Sequence, residues 1–370
     1  ASDVYKRQHL CKYEIIGDAV PRKAFIAFLK TQIEQIGFER RARLFAQNMK
    51  EWGDLDYLKT DFGALNNIST REWHYKITCS NVSLLESHVE YAFRAWHDAL
   101  GADEFRGQLI YCYVGVESDI EKVRENARFA IRKTIKEIGP SSEEGAPIAI
   151  VLLHDEDGLL GEKIAEYWIL SDQISSDDAE KFSNFILDRK ETSLEEIRNQ
   201  FRKLERKREL VLACENEICG NRIKNILTNL FDVIYPNRIP FPFDGFHTIK
   251  GNAAKDCQLF TTELFSGNLN QAWISARKVQ QRNRAVTVLH ESWQALARDG
   301  SIRKKPGNQI VGKIVEWLDR ELKHDKRLNL GKIVRQLCKP PYGCNIASAG
   351  MLIGVFTAAR NERIAFTRQN

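Results

Sequence analysis

The sequence predicts an α/β protein dominated by helix. A short parallel βαβαβ sheet is followed by a helical hairpin and then by a helical, winged-helix-like C-terminal domain. Three observations carry this. Residues 73–79 alternate apolar and polar, while 108–114 and 148–153 are nearly unbroken apolar runs, and helical periodicity fills the gaps. Strands alternating with helices require crossover connections, hence a parallel sheet with right-handed turns. After Asp155 the chain switches to helical spacing almost without interruption. Finally, 338–356, CKPPYGCNIASAGMLIGVF, spells a helix stop, a tight turn and a buried helix. Pro340 and Pro341 end a helix, Gly343 can take positive φ, and Asn345 is a good N-cap. The helix after Asn345 is apolar all round and belongs in a core.

The elements follow in order. Residues 1–8, ASDVYKRQ, resemble translated sequencing-adapter sequence from the edges of metagenomic assemblies and are set aside. Residues 9–70 form an N-terminal helical segment: Phe25, Phe28, Leu29, Ile33 and Ile36 recur at helical spacing over 22–50, and 52–69 is loop-like. Residues 71–172 form the α/β segment. Ser83-x-x-Glu86 has the pattern of a capping box, opening a helix to Leu100 whose stripe is Leu85, Val89, Ala92, Phe93 and Trp96. A second helix spans 119–138, and the apolar strand 148–153 is expected to be buried on both faces.

Residues 173–235 form the helical hairpin. Ser193-x-x-Glu196 is expected to cap a charged helix reaching Cys214, with a narrow seam of Leu194, Ile197, Phe201, Leu204 and Val211. Residues 236–370 form the C-terminal domain, entered through the Pro-rich run 236–251. Helices are expected at 253–265, 269–280, 285–298, 308–323 and 329–338, with Gly300 as a C′ glycine. The last strand pattern, at 364–366, breaks off at the end of the chain, as in a fragment of a longer protein.

The chain has 370 residues, 43% hydrophobic and 28% charged, an ordinary globular composition. No apolar run approaches the roughly 18–20 residues that span a bilayer, so no membrane partner is expected. The eight cysteines lack zinc-knuckle spacing and fit reduced, buried thiols of a cytoplasmic protein. The net charge of +5 is uneven: residues 271–370 carry 19 Lys and Arg against 7 Asp and Glu, and the rest is net acidic. A basic domain on an acidic body suggests DNA or an acidic protein as partner.

Chemistry-bearing motifs are sparse. There is no GxxxxGK[ST], no GxGxxG after a strand, no HExxH and no GxSxG. No catalytic or metal-ligating residue is expected, and no cofactor in this chain. The acids at 155–157 have the look of a Walker B strand end, but turn chemistry around solvated acids explains them better. A weaker alternative is a nucleotide-using site at the strand ends near Ser80, Gly115 and Asp155. The cations are the stronger signal. Arg277, Lys278, Arg282 and Arg284 lead into the candidate nucleic-acid-binding set of Arg303, Lys304, Lys305, Lys313, Lys326, Arg327, Lys332 and Arg335, and Lys323 and Lys339 extend the basic run. Phosphate contacts need only positioned cations. The apolar helix after Gly343 offers almost no side chains for reading bases.

Several stretches together resemble the downstream half of large P-loop ATPases of bacterial phage-defence islands, the BREX-type group. They are the strand IAIVLLHDEDG, the helix Ala165-Glu166-Tyr167-Trp168-Ile169-Leu170, the charged helices at 176–215, and the motif Lys339, Pro340, Pro341, Tyr342, Gly343. Cys344 stands where that family's motif has Trp. The resemblance covers about 145–360 and implies that 71–172 ends an ATPase-like core. It also implies ATP and Mg²⁺ in the full-length protein, and DNA and other defence-system proteins as partners. The ATP-binding loop of that family lies upstream of the matched region, so this chain alone is expected to be inactive. The alternative is a non-enzymatic DNA- or protein-binding protein.

Overall fold

The computed structural model describes residues 19–61, 72–98, 105–138, 145–214, 218, 220–241, 251–325, 327–361 and 364. The expectations for 1–8, Lys326 and 365–366 lie outside them. The N-terminal helical run is two helices, α1 (Ala19–Gln35) and α2 (Phe38–Trp52), broken at Gly37. Arg41 seals the break: its guanidinium donates to the carbonyls of Ile36 and Ile33, at 2.9 and 3.0 Å.

A five-stranded sheet follows, in the order β1 (Tyr57–Asp61), β2 (Glu72–Asn81), β3 (Phe105–Val114), β4 (Ile148–His154) and β5 (Glu209–Leu212). β2, β3 and β4 are parallel, as the strand–helix alternation predicts. Their crossovers, α3 (Leu85–Asp98) and α4 (Ile120–Ile138), cover one face. Leu85, Val89 and Phe93 join Val123, Ala127 and Ile131 over Ile110, Cys112, Ile150 and Leu152. Two right-handed crossovers stepping the same way across a sheet must share a face. The other face, with Tyr75, Tyr111, Tyr113, Val151 and Leu153, lies under α2, α5 (Leu159–Trp168), α7 (Ser183–Arg206) and α8 (Ile223–Ile234). β4 is buried on both sides, as its unbroken apolar run requires.

Both edges of the sheet depart from the expected all-parallel pattern. β1 lies in a stretch expected to be loop and pairs antiparallel with β2. The charged helix does not run from Ser193 to Cys214. A short helix α6 (Ser176–Lys181) precedes α7, which starts at Ser183 and ends at Arg206; the chain then returns as β5, antiparallel to β4. The expected helical hairpin is therefore part of the sheet domain, and 71–172 and 173–235 share one core. The reason is packing: Ile197 and Phe201 bury against the sheet, and reversal after Arg206 lets Val211 bury on the opposite face. Ser193, the expected cap, lies mid-helix and donates to the carbonyl of Lys163 at 3.4 Å. Ser83 is not a cap either. Asn81 accepts from the Leu84 amide at 3.0 Å and starts the turn into α3.

α5 and α7 are bolted by a balanced ionic cluster. Glu166 is only 3% exposed, and Lys163 lies 3.0 Å from it and 2.9 Å from Glu196. Arg189 donates to both carboxylates. A buried carboxylate is tolerable only with such partners.

The sheet thiols are sealed. Burial pushes Cys79 and Cys112 up to about 12. Alkylation with iodoacetamide near pH 8 should spare both in the native protein and modify both in denaturant, read by peptide mass mapping. Because the folded thiols hold their protons longer, their stabilising contribution is full below the ordinary thiol value of 9.0 and is lost as pH rises towards 12. Native labelling at pH 8 would refute the sealed core.

The C-terminal domain builds its own core from α9 (Gly251–Phe265), α10 (Gln271–Ser275), α11 (Val279–Ala285), α12 (Gln309–His324), α13 (Leu330–Cys338) and α14 (Ile346–Ala358). The helix expected over 285–298 is not continuous. A wide π turn, Val286–Ser292, gives way to an extended segment in which Leu296 bridges Ile302. Gly300, at φ +83°, turns this hairpin and is not a helix C′ residue. Trp293, fully buried, donates to the Pro240 carbonyl at 2.6 Å and ties the Pro-rich entry to the core.

The turn after α13 forms as its residues dictate. α13 stops at Cys338, the Pro340–Pro341 bond is cis, Gly343 sits at φ +59°, and Asn345 caps α14 in a capping box with Ser348. α14 is buried along most of its length.

Candidate nucleic-acid interface

The loop after Ile302 carries the densest cations, and several bonds set its path. The Arg303 amide donates to Ala295 O at 2.7 Å and its guanidinium to Leu296 O at 2.8 Å. Pro306 is buried, and Asn308 caps α12 through the amides of Ile310 and Val311. Arg360, just past α14, reaches back to hold the middle. It donates to Lys304 O at 3.0 Å, pairs bidentately with Asp319 on α12 (2.7 and 2.5 Å) and lies over the Phe356 ring at 4.4 Å. Bidentate Arg–carboxylate geometry adds orientation as well as energy.

What the loop presents is charge. Lys304 and Lys305 are exposed, and Lys305 meets Glu316 of α12 at 2.5 Å. On α12, Lys313, Arg320 and Lys323 are exposed at i, i+7 and i+10, positions that share one side of a helix. The structure thus brings Arg303, Lys304, Lys305 and Lys313 together. Arg303 is half-buried and shapes the loop more than it faces outward. Arg327, Lys332 and Arg335 are exposed around α13; Lys326 lies outside the described residues.

Two residues of this surface were not singled out from the sequence. Arg320 could have been, by its seven-residue spacing from Lys313. Arg360 could not: nothing local links it to Asp319, 41 positions away. Arg284, expected among the exposed cations, is instead buried and donates to Asp256 of α9, which also accepts from Gln281 at 2.8 Å.

The motif Lys339, Pro340, Pro341, Tyr342, Gly343 faces inward, onto the sheet domain. Lys339 Nζ lies 3.2 Å from His97 Nε2 at the end of α3, and Pro341 O accepts from the Asn237 amide at 3.0 Å. Gly343 packs on the buried ring of Tyr235, whose hydroxyl accepts from Trp96 at 2.9 Å. The motif is a joint between the two cores.

At the carboxyl end of the parallel strands, the acids are not simply solvated turn residues. Asp155 is 2% exposed. It accepts from Tyr113 Oη at 2.8 Å, from the Gly161 amide at 2.8 Å and from the Leu160 amide at 3.2 Å. Amides at the start of a helix after a strand are where α/β proteins hold phosphate. Here the chain's own carboxylate occupies them. Burial, reinforced by Asp155, raises the Tyr113 hydroxyl above the usual phenol range. Ser80, buried at the end of β2, donates to the Asn81 carbonyl at 3.2 Å. Among the described residues, no three His, Cys, Asp or Glu gather as a metal site, and no helix is long and apolar enough to cross a membrane.

These features define a mostly helical α/β protein with a mixed five-stranded sheet and a basic helical domain. Comparison with protein-family models, curated proteins and solved structures finds no match.

Proposed function

We propose that this chain is a non-catalytic module that contacts DNA through the basic loop and α12. The observation that carries the reading is the exposed pair Lys304 and Lys305, on a loop whose path Arg360 sets, beside the exposed Lys313 of α12. Cations held in place bind phosphates without reorganising first. The Leu296–Ile302 bridge ahead of α12 supports a winged-helix-like reading of the domain. The Asp155 carboxylate on the α5 amides supports a role without nucleotide in the sheet domain.

The resemblance of 145–360 to BREX-type ATPases supports placing the module in the cytoplasm, beside other defence-system proteins, with ATP and Mg²⁺ handled by a P-loop domain. ATP turnover by these 370 residues alone would refute that placement.

Fluorescence anisotropy with labelled random-sequence oligonucleotides tests the binding. Wild-type protein should bind at about 50 mM salt, with affinity falling as salt rises. The Lys304→Glu/Lys305→Glu double variant should bind about tenfold more weakly, with a log–log salt slope smaller by about 1–2, since a full phosphate contact contributes about 0.9 and Lys305 shares its charge with Glu316. Undetectable wild-type binding at low salt refutes the function.

A further inference from the structure

We infer that the ligand of this surface is duplex nucleic acid gripped by its phosphates, without regard to base sequence. The inference rests on the DNA-contacting reading above and narrows it.

The cations form a preset line. Lys313, Arg320 and Lys323 are exposed along α12, spanning about 15 Å at 1.5 Å per residue. The one acid between them in this stripe, Glu316, is already engaged by Lys305. The loop is held by Arg360, Arg303 and the cap at Asn308. A rigid row of charge suits a rigid polyanion. A duplex presents a regular charge lattice, about one per 1.7 Å of axis. A flexible single strand must be ordered along the row, at an entropic cost.

Single strands repay that cost by stacking bases on exposed rings. The described rings of this domain are engaged elsewhere. Trp293 is buried and bonded to Pro240 O, and Phe356 lies under Arg360. Trp273 is edge-on to Phe260 and covered by Arg277, at 4.1 Å. Trp317 and Tyr342 pack against the core. Base reading in the major groove needs polar side chains on an accessible helix. α14, the helix behind the turn, is buried, and α12 offers cations on its open side. Lys and Arg can also reach guanine edges, but with the helix behind the turn buried, phosphates are the feature this row of charge fits best.

Competition anisotropy at about 100 mM salt tests this with a labelled random-sequence duplex, either of its strands, and polyglutamate as competitors. The duplex should bind at least about tenfold tighter than either strand and outcompete polyglutamate. Unrelated duplexes should agree within about threefold. Lys313→Glu, on the open face of α12, should weaken duplex binding several-fold at an unchanged melting temperature. Single strands binding as tightly as the duplex, or a strong preference among duplexes, would overturn the inference while leaving nucleic-acid contact intact. Tighter binding of polyglutamate, or of neither nucleic acid, would overturn the DNA-contacting function itself.

Discussion

Replacing Asp155 with alanine is expected to cost about 3–5 kcal/mol of folding stability. The residue is buried, and its carboxylate answers three donors: the Tyr113 hydroxyl and the amides of Leu160 and Gly161. Removing it strands all three, at about 1–3 kcal/mol each before relaxation. Those donors join β3, the end of β4 and the first turn of α5, so the loss falls on the centre of the sheet domain. Asp155→Asn should cost about half as much, since one amide oxygen can still accept while the amide nitrogen faces donors. Urea denaturation of the two variants and the wild type reads this directly. A loss below about 1 kcal/mol for alanine would show that the strand end is held by other contacts. It would also reopen the α5 amides as a place for an external anion.

Gly343→Val should be nearly as damaging, for a different reason. At φ +59° a β-branched residue is strained, and a Cβ there would lie 2.6 Å from Tyr235 Cδ1. The Tyr235 ring cannot retreat easily, because it stacks on Phe231 at 4.7 Å and its hydroxyl is bonded to Trp96. Backbone strain of about 1–3 kcal/mol and a forced repacking of similar size are expected together. Gly251 provides the control. Its φ is +86°, yet nothing lies within 4 Å of a Cβ there. Gly251→Val should show the strain without the collision. Equal losses at the two sites, by thermal or urea unfolding, would mean that the contact between the turn and Tyr235 contributes nothing to the joint.

The two variants sit on opposite sides of what a sequence reader can see. Gly343 is legible: two prolines, a glycine and an asparagine in a row dictate a stop, a turn and a cap through φ limits and missing amide protons. The three parallel strands are legible for a similar reason, since an apolar run such as 148–153 fits only a doubly covered strand. Asp155 is not legible. An acid after a strand reads the same whether it faces water or accepts three hydrogen bonds, and its donors come from another strand and a later helix turn.

The edge strands were hidden by the same gap. β5 has four residues, and Glu209-Leu210-Val211-Leu212 fits the end of a helix as well as an edge. Pairing with Ala149–Leu152 decides for strand. β1 is five residues in a polar stretch, and only β2 beside it makes it a strand. Among the cations, density along the chain pointed to Arg303–Lys305, while the Arg360–Asp319 clamp and the burial of Arg284 came from distant partners.

By itself, then, the sequence determined the local facts of this protein: the parallel βαβαβ order, the buried last helix, the stop-and-turn before it, and an excess of positive charge in its final hundred residues. The tertiary structure decided the rest. It chose which strands closed the edges, turned the KPPYG stretch into a joint against Tyr235 and His97, filled the α5 amides with Asp155, and sorted the cations into those held inside and those presented outside. Backbone φ limits and hydrophobic periodicity act within a few residues and can be read along the chain. Hydrogen bonds and ion pairs between residues tens of positions apart exist only once the core has brought them together.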